Sequence, residues 1–159
     1  MRLIVAAVGR LKDAEKDLCA RYHKRFDAAG RSLGLGPLII TELNESRASA
    51  AEARKGDEAT RLLKAAGAAS QIVALDEGGK LLSSVALADW LARQRDDGCK
   101  ELGLLIGGPD GHGGEVASAA TLKLSLGPMT LPHGLARAIL IEQLYRATTI
   151  LSGHPYHRA

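Results

Sequence analysis

Leu104-Leu105-Ile106-Gly107-Gly108-Pro109-Asp110-Gly111 is an apolar run that stops in glycines, as a buried parallel strand does when it empties into a ligand loop. Upstream the same punctuation recurs. Leu3 to Val8 ends at Gly9, Leu38 to Leu43 follows the breaker run Gly30 to Pro37, and Gln71 to Leu75 is closed by Asp76-Glu77-Gly78-Gly79. With Leu102 to Ile106 these make four strands. Helical patterns lie between them. From Asp13, a plausible cap, to about Ala28 the apolar Leu18, Cys19, Tyr22 and Phe26 recur at three and four. A charged helix ends near Ala66-Gly67, and a third runs from Ser83 or Ser84 to about Asp97. Beyond the glycine loop come a short helix at Glu115 to Ala120, a brief strand at Leu122 to Leu126 and a last helix from about Leu135 to Leu151. Strands alternating with helices predict an α/β fold: one domain over 1–159, with a mostly parallel sheet flanked by helices.

The chain has 159 residues, 46% of them hydrophobic, with 21 basic against 18 acidic side chains for a net charge of +3. This is ordinary for a globular domain and only mildly suited to polyanions. Aromatics at 3% exclude a broad base-stacking platform. Cys19 and Cys99 show no metal-ligand spacing, so no metal is expected. The apolar run at Leu3 to Val8 is too short for a signal segment or a membrane span, which predicts a cytoplasmic protein without an anchor.

Gly9 is the lone glycine of the first strand–helix junction, so the dinucleotide fingerprint is missing, and no Walker spacing occurs. In the loop at 107–114, Pro109 removes an amide donor and Asp110 adds a negative charge. Both disfavour phosphate and suit a cationic or neutral ligand. Gly127-Pro128-Met129-Thr130-Leu131-Pro132-His133 is a second, proline-stiffened loop whose backbone groups need partners. The two loops together predict a pocket. The last helix is apolar on more than one side: Leu135, Ala138, Ile139, Tyr145 and Thr148 on one, Leu140, Leu144, Ala147 and Leu151 on another. That pattern predicts a homodimer, with a second copy covering the side the sheet does not.

Leu75-Asp76, Leu105 to Gly111, Met129 to His133, Leu144-Tyr145-Arg146-Ala147 and His154-Pro155-Tyr156-His157-Arg158 together resemble the RlmH family, SPOUT-class methyltransferases of large-subunit ribosomal RNA. The likeness runs from Val5-Ala6-Ala7-Val8-Gly9 to the tail. It implies S-adenosylmethionine as methyl donor, N3 of a pseudouridine in 23S ribosomal RNA as acceptor, a homodimer and a C-terminal trefoil knot. By motif, the cofactor contacts fall on Leu75, Gly108, Gly127, Pro128, Met129, Thr130, Leu131 and Pro132. The tail, 152–159, is expected to complete the active site through His154, Tyr156, His157 and Arg158.

Methyl transfer from a sulfonium is an in-line displacement. The acceptor's imide proton must leave, so a cation beside the developing imidate and a base are needed. His154, His157 and Arg158 suit both tasks, and which histidine is the base, or whether water serves, stays open. Tyr156 is expected to stack on a splayed base. The alternative for the tail is a frayed terminus. His133, Arg137, Arg21, Lys24 and Arg25 are candidate RNA contacts, Glu142–Arg146 is read as a structural ion pair, and His112 and His23 as solvated bystanders. Two other functions fit the same pattern: a flavodoxin-like module that binds a ligand without chemistry, and a ribosome-associated assembly protein with a vestigial pocket.

Overall fold

The computed structural model describes residues 1–158. Its elements are β1 (Arg2–Val8), α1 (Asp13–Gly30), β2 (Leu38–Leu43), α2 (Ala51–Ala65), β3 (Gln71–Leu81), α3 (Ser84–Asp96), β4 (Glu101–Ile106), α4 (Gly114–Ala119), β5 (Leu122–Ser125) and α5 (His133–Ser152). All five strands are parallel, in the order β2-β1-β4-β3-β5. The strand alternation divides the core in two. Leu3, Val5, Ala7, Leu102, Leu104 and Ile106 pack toward α1, α3 and α5. Ala6, Val8 and Leu105 face the opposite way, against Ala59 and Leu62 of α2 and Val116 of α4. Among the described residues no helix is long and apolar enough to cross a membrane.

Two local readings are corrected. Asp13 does not cap α1: Lys12 holds the extended cap position without a side-chain bond, and Asp13 and Glu15 sit in the first turn, where the helix dipole favours carboxylates. By contrast, Ser83 does cap α3, accepting from the Ala86 N–H at 3.1 Å. β3 does not stop at Leu75 but resumes beside β5 after a register shift between Leu75 and Lys80. The glycines that look like a strand end are needed for close approach: a Cβ at Gly79 would lie 2.7 Å from the Lys123 backbone.

Leu140, Ile141, Leu144 and Ala147 of α5 are fully buried within one chain, where α1 and α3 pack against the helix, while Ile139 and Leu151 stay partly exposed. Leu135 remains exposed. Gly153, at φ 68°, ends α5 in the left-handed conformation that glycine tolerates, and the His154 N–H bonds back to Thr149 O at 2.9 Å. The tail therefore turns back along α5.

Candidate active site

The carboxyl ends of β3, β4 and β5 converge on a cavity of about 420 Å³, within the size range of small-molecule sites. β3 contributes Leu75, Asp76 and Glu77, the loop after β4 contributes Gly107 to His112, and the segment after β5 closes the far side. Each loop is held. The Gly111 N–H bonds to Gly108 O at 2.9 Å, folding the glycine loop into a tight bend. Ser125 Oγ donates to Gly127 O at 3.1 Å, and the Gly127 N–H reaches back to that Oγ at 3.2 Å.

α2 backs the glycine loop. Arg54 forks onto Asp110, with Nε to Oδ2 at 2.6 Å and Nη2 to Oδ1 at 3.1 Å, while its Nη1 donates to the carbonyls of Ala48 and Ser49. The hydrogen bond from Arg54 holds the Asp110 carboxyl below its ordinary range. Behind Gly108 lies Glu58, only 3% exposed, with Oε1 accepting the Ser46 N–H at 2.8 Å. A Cβ at Gly108 would come within 2.7 Å of the other oxygen.

Among the expected cofactor contacts, Leu75, Gly108, Gly127, Met129, Thr130 and Leu131 line the cavity, and Pro128 and Pro132 do not. The prolines shape the loop rather than face the space. Asp76, Glu77 and His112 were missed. The segment after Leu75 places Asp76 and Glu77 along the cavity, with Asp76 Oδ1 accepting the Gly78 N–H at 2.8 Å, and His112 is not a solvated bystander. Both its ring nitrogens are buried without a hydrogen-bond partner. Burial pushes its pKa down, with the backbones of Leu75 and Leu105 and the Asp76 charge pulling the other way. Among the described residues no lysine or arginine lines the cavity, whereas Asp76, Glu77 and Asp110 do. A sulfonium donor fits this wall, and a nucleotide phosphate does not.

The tail is ordered against its own chain. Tyr156 donates to Glu142 Oε1 at 2.9 Å, its ring lies 4.8 Å from that of Tyr145, and the Arg146 guanidinium sits 4.9 Å over it. Its aromatic faces are thus engaged, which corrects the expectation of a ring free to stack on a base. Burial, then bonds to Tyr22 and Glu142, push the phenol's pKa well up, so it donates and does not serve as a base. Glu142 and Arg146 form the expected ion pair, at 2.6 Å. His154 and Arg158 are exposed, and His157 Nδ1 is buried without a partner. None of these tail residues lines the cavity of its own chain. The tail starts one 20-residue helix, roughly 30 Å, from His133 at the cavity mouth.

Arg21, Lys24 and Arg25 are exposed on α1. His23 is not merely solvated, since its Nε2 lies 2.6 Å from Leu38 O and 3.3 Å from Asp27. Arg137 is also corrected. It is 1% exposed, with Nη1 2.6 Å from Glu42 and Nη2 2.9 Å from Gly9 O, so it ties α5 to β1 and β2 instead of facing solvent. His133 stands exposed at the mouth.

The family model described as "Predicted SPOUT methyltransferase" matches residues 1–157. The chain belongs to the SPOUT methyltransferase family. Proteins named "Ribosomal RNA large subunit methyltransferase H" from Brucella anthropi and Rhizobium johnstonii are 49% and 52% identical to it. The first alignment covers all of both chains and the second 99% of each. Among solved structures, a probable methylase family protein from Haemophilus influenzae Rd KW20 shares the fold. Its TM-score is 0.56 at 13% identity, over 99% of this chain and 70% of that one. SPOUT membership agrees with the architecture: a parallel α/β sheet with its cavity at the carboxyl ends of the strands.

Proposed function

We propose that this protein transfers the methyl group of S-adenosylmethionine to N3 of a pseudouridine in large-subunit (23S) ribosomal RNA. It acts in the cytoplasm as a homodimer and carries the family's C-terminal knot. The observation that carries the donor is the cavity wall, where Asp76 and Glu77 stand beside the Arg54-paired Asp110, no lysine or arginine lines it among the described residues, and two bent loops close it. Such a wall attracts the positive sulfonium and releases the neutral thioether product more readily. Leu75, Ile106, Leu124 and Leu131 supply apolar surface for the nucleoside, and loop backbone groups take its polar edge. Membership of the SPOUT family and the likeness to the ribosomal RNA large subunit methyltransferases H support the reaction class and the ribosomal RNA substrate.

S-adenosylmethionine supplies an activated methyl group, and the chain supplies position. Each pKa unit between the acceptor imide and the working pH costs about 1.4 kcal/mol. His154 and His157 are the candidates to take the proton, with Arg158 beside the developing charge. Because the tail misses its own cavity, it acts on the cavity of a second copy, and this geometry, not the apolar faces of α5, supports the homodimer. Exposed Leu135 and Met129 near the mouth offer surface for that contact. Titration calorimetry tests the donor: S-adenosylmethionine and its demethylated product bind at micromolar concentration and flavin does not. Mass spectrometry of ribosomal RNA from a strain lacking the protein tests the acceptor. A full complement of pseudouridine methylation there overturns the assignment.

A further inference from the structure

Glu58 sits in α2, outside the wall of the donor cavity, and among the described residues its Oε2 has no hydrogen-bond partner. We infer that this carboxylate is a specificity determinant of the donor site, favouring a cationic donor over its neutral product from behind the backbone of Gly108. This rests on the methyl-transfer reading above.

The residue is 3% exposed, and only Oε1 is engaged, by the Ser46 N–H at 2.8 Å. Among the described residues no lysine, arginine or histidine forms an ion pair with it. Arg54 feels its charge, but Nε and Nη2 are bound to Asp110, and Nη1 to the carbonyls of Ala48 and Ser49. Arg61, one turn along α2, is engaged by Asp57 and by Asn44 O. A carboxylate taken out of water with an oxygen unused is destabilising unless a positive charge nearby offsets it.

The donor's sulfonium is such a charge. Gly108 lines the cavity on one side and meets Glu58 on the other, where a Cβ would come within 2.7 Å of Oε2. Because position 108 has no side chain, one thickness of backbone separates the carboxylate from the ligand space. Val8 packs into the same contact, so the surroundings are apolar and a charge acts across them more strongly than it does in water. The carboxylates on the wall itself are weaker candidates for this discrimination. Asp110 is paired with Arg54, Glu77 is exposed, and Asp76 is partly exposed with Oδ1 taken by the Gly78 N–H. Salt screens exposed charges far more than a buried one.

Glu58→Gln keeps the shape of the side chain and an acceptor for Ser46 while removing the charge. Titration calorimetry compares S-adenosylmethionine with two probes: S-adenosylhomocysteine, neutral at sulfur, and sinefungin, which carries an ammonium near that position. The inference expects the two cationic ligands to lose roughly fivefold or more in affinity, and S-adenosylhomocysteine to stay within about twofold. An equal loss for all three overturns it, because a brace that merely holds the loop affects every ligand alike. Unchanged affinities overturn it too. Should the variant not fold, the wild-type protein decides between about 0.1 and about 1 M salt, over which the screening length falls from about 10 to about 3 Å. The ratio of donor to product affinity then holds within about twofold if a buried charge sets it, and a larger decline overturns the inference. If the wild-type protein binds none of the three ligands, the underlying reading fails first, and that result is distinct from the others.

Discussion

Glu58 occupies the volume that a side chain at position 108 would need. It cannot retreat freely, because it is buried in α2 and one oxygen is held by the Ser46 N–H. Gly108→Ala is therefore an overpacking change costing about 1–3 kcal/mol. Calorimetry should show a melting temperature roughly 2–12 °C lower, with weaker donor binding because the loop shifts. Adding Glu58→Ala removes the obstructing atom, so the double variant recovers part of the loss. His112 gives a pH prediction. Its folded pKa lies below the ordinary value, so below about pH 6.5 the unfolded chain binds more protons and stability falls. Above that range the group is neutral in both states and contributes no slope. Melting scans from pH 7.5 to 5 should show a decline that His112→Asn makes shallower.

At the scale of elements, α2 acts as a backing plate, and Arg54 joins it to the β2–α2 loop and the glycine loop at once. Arg54→Ala should loosen the donor loop, weakening S-adenosylmethionine binding several-fold by calorimetry with only a small change in melting temperature, since the pair is partly exposed. Lysine should not rescue it, because a point charge cannot reproduce the fork. None of this was legible in the sequence, where Arg54 is one cation in a charged helix. The strands were legible because strands buried on both faces read as short continuous apolar runs bounded by breakers. β3 was cut short because glycines that permit close backbone approach look the same as glycines that end a strand. Six of the eight expected donor contacts fall on the wall, because a loop that follows a strand inherits that strand's position. Asp76 and Glu77 went unread because they fall at the register shift in β3, which leaves no periodic signal, and His112 because its burial depends on the tight bend of the glycine loop.

On the scale of the whole molecule, the tail poses the sharpest question. It is docked on α5 through Tyr156, Tyr145 and Arg146, yet it lines no part of its own cavity. If it acts in trans, two different defects should complement. Deleting residues 153–159 leaves the donor cavity intact but supplies no tail. Thr130→Trp crowds the donor cavity but leaves the tail. Each homodimer should be inactive, and calorimetry should show that the truncated one still binds S-adenosylmethionine. After equimolar co-expression, half of the dimers are mixed, and each mixed dimer joins one open cavity to one intact tail. Activity should then return to about a quarter of the wild-type value, as a two-fold assembly with one working site requires. A tail acting in cis predicts no recovery, because every open cavity then belongs to a chain without one.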